Sequence, residues 1–261
     1  MDGHGVVRAV PQEEPAEAMA WLSARGDREA ALGYHPDRWP DSVWILHAMY
    51  EQPAPEVSAN GFRRELIVEP FVLPGLDVAA YSTGIPFGFT ETPGEGWTRL
   101  TWRSLTERLG RRLGEGMTYP PDLDWFPFRR WPASIRPPAE GSLTESDVHA
   151  LAEVLTDHSG STPDQCLASY GYLSYGVIPA GDDAATLTVC AGPWPDFAAL
   201  LLGLPEAGSS PSNVWPADRS WFVSTNWDLM ATRISGSREL ITAVEAHPGL
   251  ETLRWTGSTA G

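Results

Sequence analysis

Apolar residues along the chain fall into two patterns: near-continuous short runs that suit strands, and sets recurring every third or fourth residue that suit helices. Ser42–Tyr50 (SVWILHAMY) is rich in aromatic and branched residues and closes on the turn-like EQPAP, so it predicts a strand. Arg64–Leu73 (RELIVEPFVL) predicts a second, with Pro70 pointing to an edge position or a bulge. Trp97–Trp102 predicts a third. Ser104–Leu113 (SLTERLGRRL) then offers a Ser-x-x-Glu capping box with Leu105, Leu109 and Leu113 on one face, a short helix weakened by Gly110.

The next stretch, Tyr119–Ala139, carries six prolines with Trp125, Phe126, Phe128 and Trp131 among them. Prolines remove backbone donors and disfavour a helix, yet so many rings are costly to leave in water. The segment therefore reads as an extended strap pinned by its rings, either a joint between lobes or a band across one core, with a polyproline peptide ligand as a weaker alternative. Beyond it the pattern sharpens. Thr144 caps a helix with Asp147 three residues later, and Val148, Leu151, Val154 and Leu155 share one face until His158-Ser159-Gly160. Cys166–Val177 and Thr186–Cys190 predict a hairpin about the turn at Pro179. Phe197–Leu204 (FAALLLGL) is a short buried helix or strand that periodicity does not settle. Trp221–Thr225 and Met230–Ile234 predict two strands, Arg238–His247 a helix with Leu240, Ile241 and Val244 inward, and Leu250–Trp255 a last strand.

That order of elements predicts an α+β fold with a mixed or mainly antiparallel sheet and helices packed on one face. By composition it divides into an N-terminal lobe at 1–118, a strap at 119–140 and a C-terminal lobe at 141–261, or into one continuous domain.

Charge narrows the partners. The chain carries a net charge of -16 with only 18 Lys and Arg, and its basic pairs Arg63-Arg64, Arg111-Arg112 and Arg129-Arg130 do not make a patch. Such a surface repels phosphate backbones and anionic membranes, so no nucleic-acid or membrane partner is expected. The first residues lack a basic start followed by an apolar run, and FAALLLGL is too short to span a bilayer, so a cytoplasmic protein is expected. Cys166 and Cys190 read as free thiols on adjacent strands, not as a disulfide framework. Without a heptad seam, and with like charge opposing self-association, a monomer or weak dimer is expected.

Catalytic signatures are sparse. The spacings among the six histidines and two cysteines match no zinc pattern, and His149 and His158 are out of phase on one helix, so no metal is expected. Phosphate-cradling glycine loops and a nucleophile elbow are missing as well, so no cofactor is expected. His47 lies inside an apolar strand, where a satisfied core histidine competes with a catalytic base. The pairs Asp122/Asp124 and Asp182/Asp183 read first as solvated or turn-forming residues. An enzyme would need a cleft bordered by the strap and Asp228, with His47 or His247 facing a carboxylate.

Twelve tryptophans are the marked excess, four of them between Trp194 and Trp227. They either fill a core between sheet and loops, or they line a recognition surface made of Trp215, Arg219, Trp221, Asn226, Asp228 and Thr232, with Ser237 adding free backbone donors at a helix start. Trp215, Trp221 and Trp227 are not expected to project from one regular element, so at least one lies in a loop and can cap a pocket, with an Arg219–Asp228 pair beneath it.

The runs from Trp215 to Leu229 (WPADRSWFVSTNWDL), from Thr232 (TRISGSRELI) and from His247 (HPGLE), with the helix LTESDVHALAEVLTDHS, resemble a family of uncharacterised proteins from high-GC, Streptomyces-like actinobacteria. The resemblance is clearest over residues 141–255 and is weak before them except at Trp44–Glu51. It implies no catalytic role, and an association with small binding or immunity-type proteins. Where that resemblance leads one to expect Thr-Asp or Thr-Glu this chain has Thr225-Asn226, which argues against an essential carboxylate there. The expectation is thus a non-enzymatic binding or immunity-like protein that recognises a basic protein or a polar small ligand. The alternative is a hydrolase or transferase with a histidine–carboxylate site between lobes.

Overall fold

The structure, a computed structural model, describes residues 8–9, 21, 39–52, 81–82, 92–114, 131–132, 134–158, 166–170, 188–192, 210–226 and 229–254. Its strands in chain order are β1 (Arg8–Ala9), β2 (Asp41–Leu46), β3 (Met49–Glu51), β4 (Tyr81–Ser82), β5 (Thr98–Leu100), β6 (Trp131–Pro132), β7 (Ile135–Arg136), β8 (Cys166–Tyr170), β9 (Thr188–Gly192), β10 (Asn213–Pro216), β11 (Phe222–Thr225), β12 (Ala231–Gly236) and β13 (Glu251–Leu253). Among the described residues the helices are α1 (Trp102–Arg108), α2 (Glu145–His158) and α3 (Arg238–Ala246).

Eight strands form one sheet in the order β1-β9-β8-β10-β11-β12-β2-β13, antiparallel at every described pairing, beside a β5-β3-β7 sheet and a β4-β6 pair. The expected α+β class with an antiparallel sheet is what the chain forms. β2, from the N-terminal part of the sequence, lies between β12 and β13, so the sheet runs across the compositional boundary at 119–140.

The continuous apolar character of β2 follows from that central place, where both faces of a strand are covered. Val43 and Ile45 enter a core with Val148, Leu151 and Val154 of α2 and Leu240, Ile241 and Val244 of α3. Trp44 and Leu46 point the other way, into a second core with Met49, Leu100, Ile135 and, from α1, Trp102 and Leu105. The two longer helices therefore share one face, while the short α1 sits against the other. Side chains of this size contribute about 1.5–3 kcal/mol each when fully buried. The Leu240 side chain of α3 packs over Gly236, where a Cβ would stand 2.7 Å from Leu240 Cδ2.

Two expectations are corrected in detail. Ser42–Tyr50 is not one strand but β2 and β3, which belong to different sheets and meet at His47-Ala48. The main-chain donors explain the break: His47 N still donates to Met230 O of the large sheet at 2.9 Å, but Ala48 N donates to a carboxylate, Asp147 Oδ2, at 2.8 Å. The helix expected from Ser104 begins at Trp102, because Thr101 is its N-cap and accepts from Ser104 N. It stops at Arg108, ahead of Gly110, whose φ is +66°.

The other expectations keep their places. Thr98–Leu100, α2, β8, β11, α3 and β13 fall within the segments expected for them, and β9 and β12 overlap theirs but run on to Gly192 and Gly236, with the apolar faces of α2 and α3 buried. Arg64–Leu73, Phe197–Leu204 and the strap's Trp125, Phe126 and Phe128 lie outside the described residues.

Candidate functional site

The turn between β10 and β11 brings together one part of the expected surface. In register, Val214 pairs with Val223, so those two face the helices while Trp215 and Phe222 project from the opposite face. Trp21 and Trp39 pack onto that pair. The Trp21 ring meets Trp39, Trp215 and Phe222 edge-on at 6.1, 5.7 and 5.7 Å, and Trp39 stacks on Phe222 at 5.5 Å with the rings 5° from parallel. Trp215 and Phe222 are buried; Trp21 and Trp39 are only half-buried.

Arg219 sits at the tip of this turn, flanked by exposed Ala217, Asp218 and Ser220. Its φ of 57° is the one positive value at a non-glycine among the described residues, a conformation that costs about 1–2 kcal/mol. The surroundings hold it there. Arg219 N donates to Pro216 O at 2.8 Å, its carbonyl accepts from Trp39 Nε1 at 3.0 Å, and Ser220 N donates to Asp218 Oδ1 at 2.9 Å. The guanidinium lies over the Trp21 ring, 4.7 Å from its centroid.

Of the remaining expected residues, Trp221, Asn226, Thr232 and Ser237 do not join this surface. Trp221, immediately before β11, enters the helix-side core and is 2% exposed. Asn226 is buried, and its carbonyl closes a turn by accepting from Leu229 N at 3.1 Å. Ser237 is the N-cap of α3, its hydroxyl accepting from Leu240 N and meeting His158 Nε2 at 3.3 Å. Asp228 and Trp227 lie outside the described residues.

Thr232 belongs to a buried polar chain on the helix side. His47 is fully buried; its Nδ1 lies 2.7 Å from Ala139 O and its Nε2 2.8 Å from Thr232 Oγ1, which in turn is 2.7 Å from Thr225 Oγ1. A carbonyl only accepts, so Nδ1 carries the proton, and in the neutral ring Nε2 accepts from Thr232. Thr232, its proton committed, then accepts from Thr225. Burial holds the His47 imidazolium below the usual histidine range, against smaller opposing effects of the Ala139 carbonyl and the Asp147 carboxylate.

A histidine whose folded value is depressed stabilises the fold fully above its unfolded value of about 6.5, and that stability is lost as pH falls from there through the folded value. Denaturant unfolding between pH 7.5 and about 5 is expected to show a fall of up to about 1.4 kcal/mol per pH unit for this one proton, and His47→Gln to flatten it. An unchanged slope in the variant would assign the acid limb to other groups. Asp41 and Glu51, both held below the carboxylate range by their arginine partners Arg254 and Arg108, act only near pH 4 and lower.

His47 is thus a structural histidine with both ring nitrogens engaged. His247 does face a carboxylate, Glu153 Oε2 at 3.2 Å, but on the outer surface where α3 ends beside α2. Between α2 and the β10/β11 pair a recess of about 380 Å³, its open mouth included, is walled by Val148, Leu151, Leu155, Val214 and Val223 with Ser210 and Thr225. Its described lining carries no titratable side chain. Cys166 is a free, buried thiol, pushed up to about 12 by burial and so poorly suited to nucleophilic work. Among the described residues no group of three or more His, Cys, Asp or Glu could hold a metal ion, and no helix is long and apolar enough to cross a membrane.

Sequence reasoning missed Trp21 and Trp39, which lie far from the tryptophan-rich window in sequence; only the count of 12 tryptophans hinted that rings from elsewhere would gather. The fold and site together define an α+β protein with an aromatic group at an exposed sheet turn. Comparison with protein-family models, curated proteins and solved structures finds no match.

Proposed function

We propose that the protein is a non-enzymatic binding protein of the immunity-like kind, recognising a basic protein through the surface around the β10–β11 turn. The observation that carries this reading is the aromatic group itself: two half-buried tryptophans, Trp21 and Trp39, on a buried Trp215–Phe222 pair, at the exposed tip of a chain whose net charge is -16. Rings that are partly covered supply contact area at little entropic cost, and opposite charge speeds encounter and rejects wrong partners. A polar small ligand is the second form of the same reading. The resemblance to actinobacterial proteins is part of this proposal and brings no catalytic residue with it.

Immobilised full-length protein is expected to retain a basic partner from lysate at about 50 mM salt and to release most of it by about 300 mM, as screened charge pairs do. Trp39→Ala is expected to abolish that retention while leaving the fold intact. Retention that survives Trp39→Ala would remove the turn from the contact surface. A copurifying metabolite with no protein partner would replace the protein form of the reading by the small-ligand form.

A further inference from the structure

The cation that covers the Trp21 ring belongs to the protein itself, and it is held by a turn under backbone strain. We propose that Arg219 is an internal stand-in for a partner's arginine: the guanidinium of a basic protein takes the same ring face by displacing Arg219. This rests on the binding reading above and deepens it, since it names the group recognised.

Three observations support it. The chemistry that the ring face accepts is visible, because a guanidinium already lies 4.7 Å from the Trp21 centroid, within the range where a cation is attracted by an aromatic face. Displacement leaves the core untouched: Ala217 to Ser220 are exposed, and the Arg219 guanidinium lies over the half-buried Trp21 ring. The φ of 57° at Arg219 is disfavoured for a residue with a Cβ, so the present pose is maintained by its anchors, the Trp39 Nε1 to Arg219 O bond and the Pro216 turn, and not by local preference. Exchange of one guanidinium for another conserves the ring contact and leaves the backbone anchors of the turn in place. The chain's charge of -16 draws a basic partner toward the exchange.

An internal competitor makes a signed prediction. Removing it must tighten binding of an external cation, whereas a residue that contacts the partner would weaken binding when removed. Arg219→Gly is the suitable variant, since glycine adopts positive φ without strain and leaves the turn in place. The probe is N-acetyl-arginine amide, titrated against wild type, Arg219→Gly and Arg219→Lys and followed by the indole N–H resonance of Trp21, with N-acetyl-norleucine amide as the uncharged control. Arg219→Gly is expected to bind the arginine probe about five-fold tighter than wild type, Arg219→Lys to stay near wild type because a cation remains, and norleucine to show no gain. Equal or weaker binding in Arg219→Gly, or an equal gain for norleucine, overturns the stand-in role. If wild type still retains a basic partner in a salt- and Trp39-dependent way, that result removes only this inference; loss of both removes the binding reading with it.

Discussion

Asp147→Ala is expected to lower the unfolding free energy by about 3–4 kcal/mol, a large share of the 5–15 kcal/mol typical of a domain. Asp147 is fully buried on the first turn of α2, yet it serves three elements. Oδ2 accepts from Thr144 Oγ1 at 2.7 Å and from Ala48 N at 2.8 Å, and Oδ1 accepts from Arg99 Nη2 at 3.0 Å. The carboxylate thus ties the cap of α2 to the joint between β2 and β3 and to β5. Alanine leaves the Ala48 donor unmet in the interior at about 1–3 kcal/mol, loses the hydroxyl bond, and strands a guanidinium. Arg99 retains 27% exposure, so water takes up part of its charge and the total stays below the upper limit for a broken buried pair. Asp147→Asn keeps the shape and some acceptor capacity and is expected to lose roughly half as much. The check is urea unfolding at constant m-value; a loss under about 1 kcal/mol for Asp147→Ala would show that the joint holds without the carboxylate.

How much of this was legible beforehand differs by element. Thr144 and Asp147 announced the start of α2 by local spacing alone, and Asp147 N does donate to Thr144 Oγ1 at 3.4 Å. The wider duty of the same carboxylate was invisible, because Ala48 lies 99 positions away and no local pattern links them. The strand SVWILHAMY was recognisable as apolar, but its division at His47-Ala48 depends on which backbone donor meets the sheet and which meets Asp147. β10 went unrecognised because Asn213 and Pro216 give it the look of a loop, although its Trp215 and Val214 alternate faces as a strand requires. The expected recognition surface was drawn from one window of sequence, and alternation split it. Trp215 and Arg219 went with Trp21 and Trp39, while Trp221 and Thr232 went to the helix side. Glu251 shows the same limit: a carboxylate on edge strand β13 accepts from Trp102 N at 2.6 Å and Arg103 N at 2.9 Å, completing the start of a helix 149 residues earlier.

That split gives Trp221 and Arg219 opposite expected phenotypes, although they are two residues apart. Trp221→Ala is expected to cost about 3–5 kcal/mol, as truncation of a buried large aromatic does when its surroundings relax only partly. Its ring is 2% exposed in the core shared with Ile234, Leu240 and Val244, and Gly236 lies against its Cβ side, where a Cβ would stand 3.4 Å from that of Trp221. Partner retention by the fraction that remains folded should not change, because Trp215 and Phe222 occupy the other face of the sheet. Arg219→Ala is expected to shift stability by no more than about 1 kcal/mol: it gives up an exposed cation–π contact, and alanine shares arginine's backbone preference at that φ. Its effect should appear instead in binding, as tighter uptake of an arginine probe. Thermal unfolding measured beside binding for both variants separates the two roles. Intact stability with lost binding in Trp221→Ala would place that ring on the contact surface after all, and would require the strand to present a face opposite to the one on which Val223 meets α2.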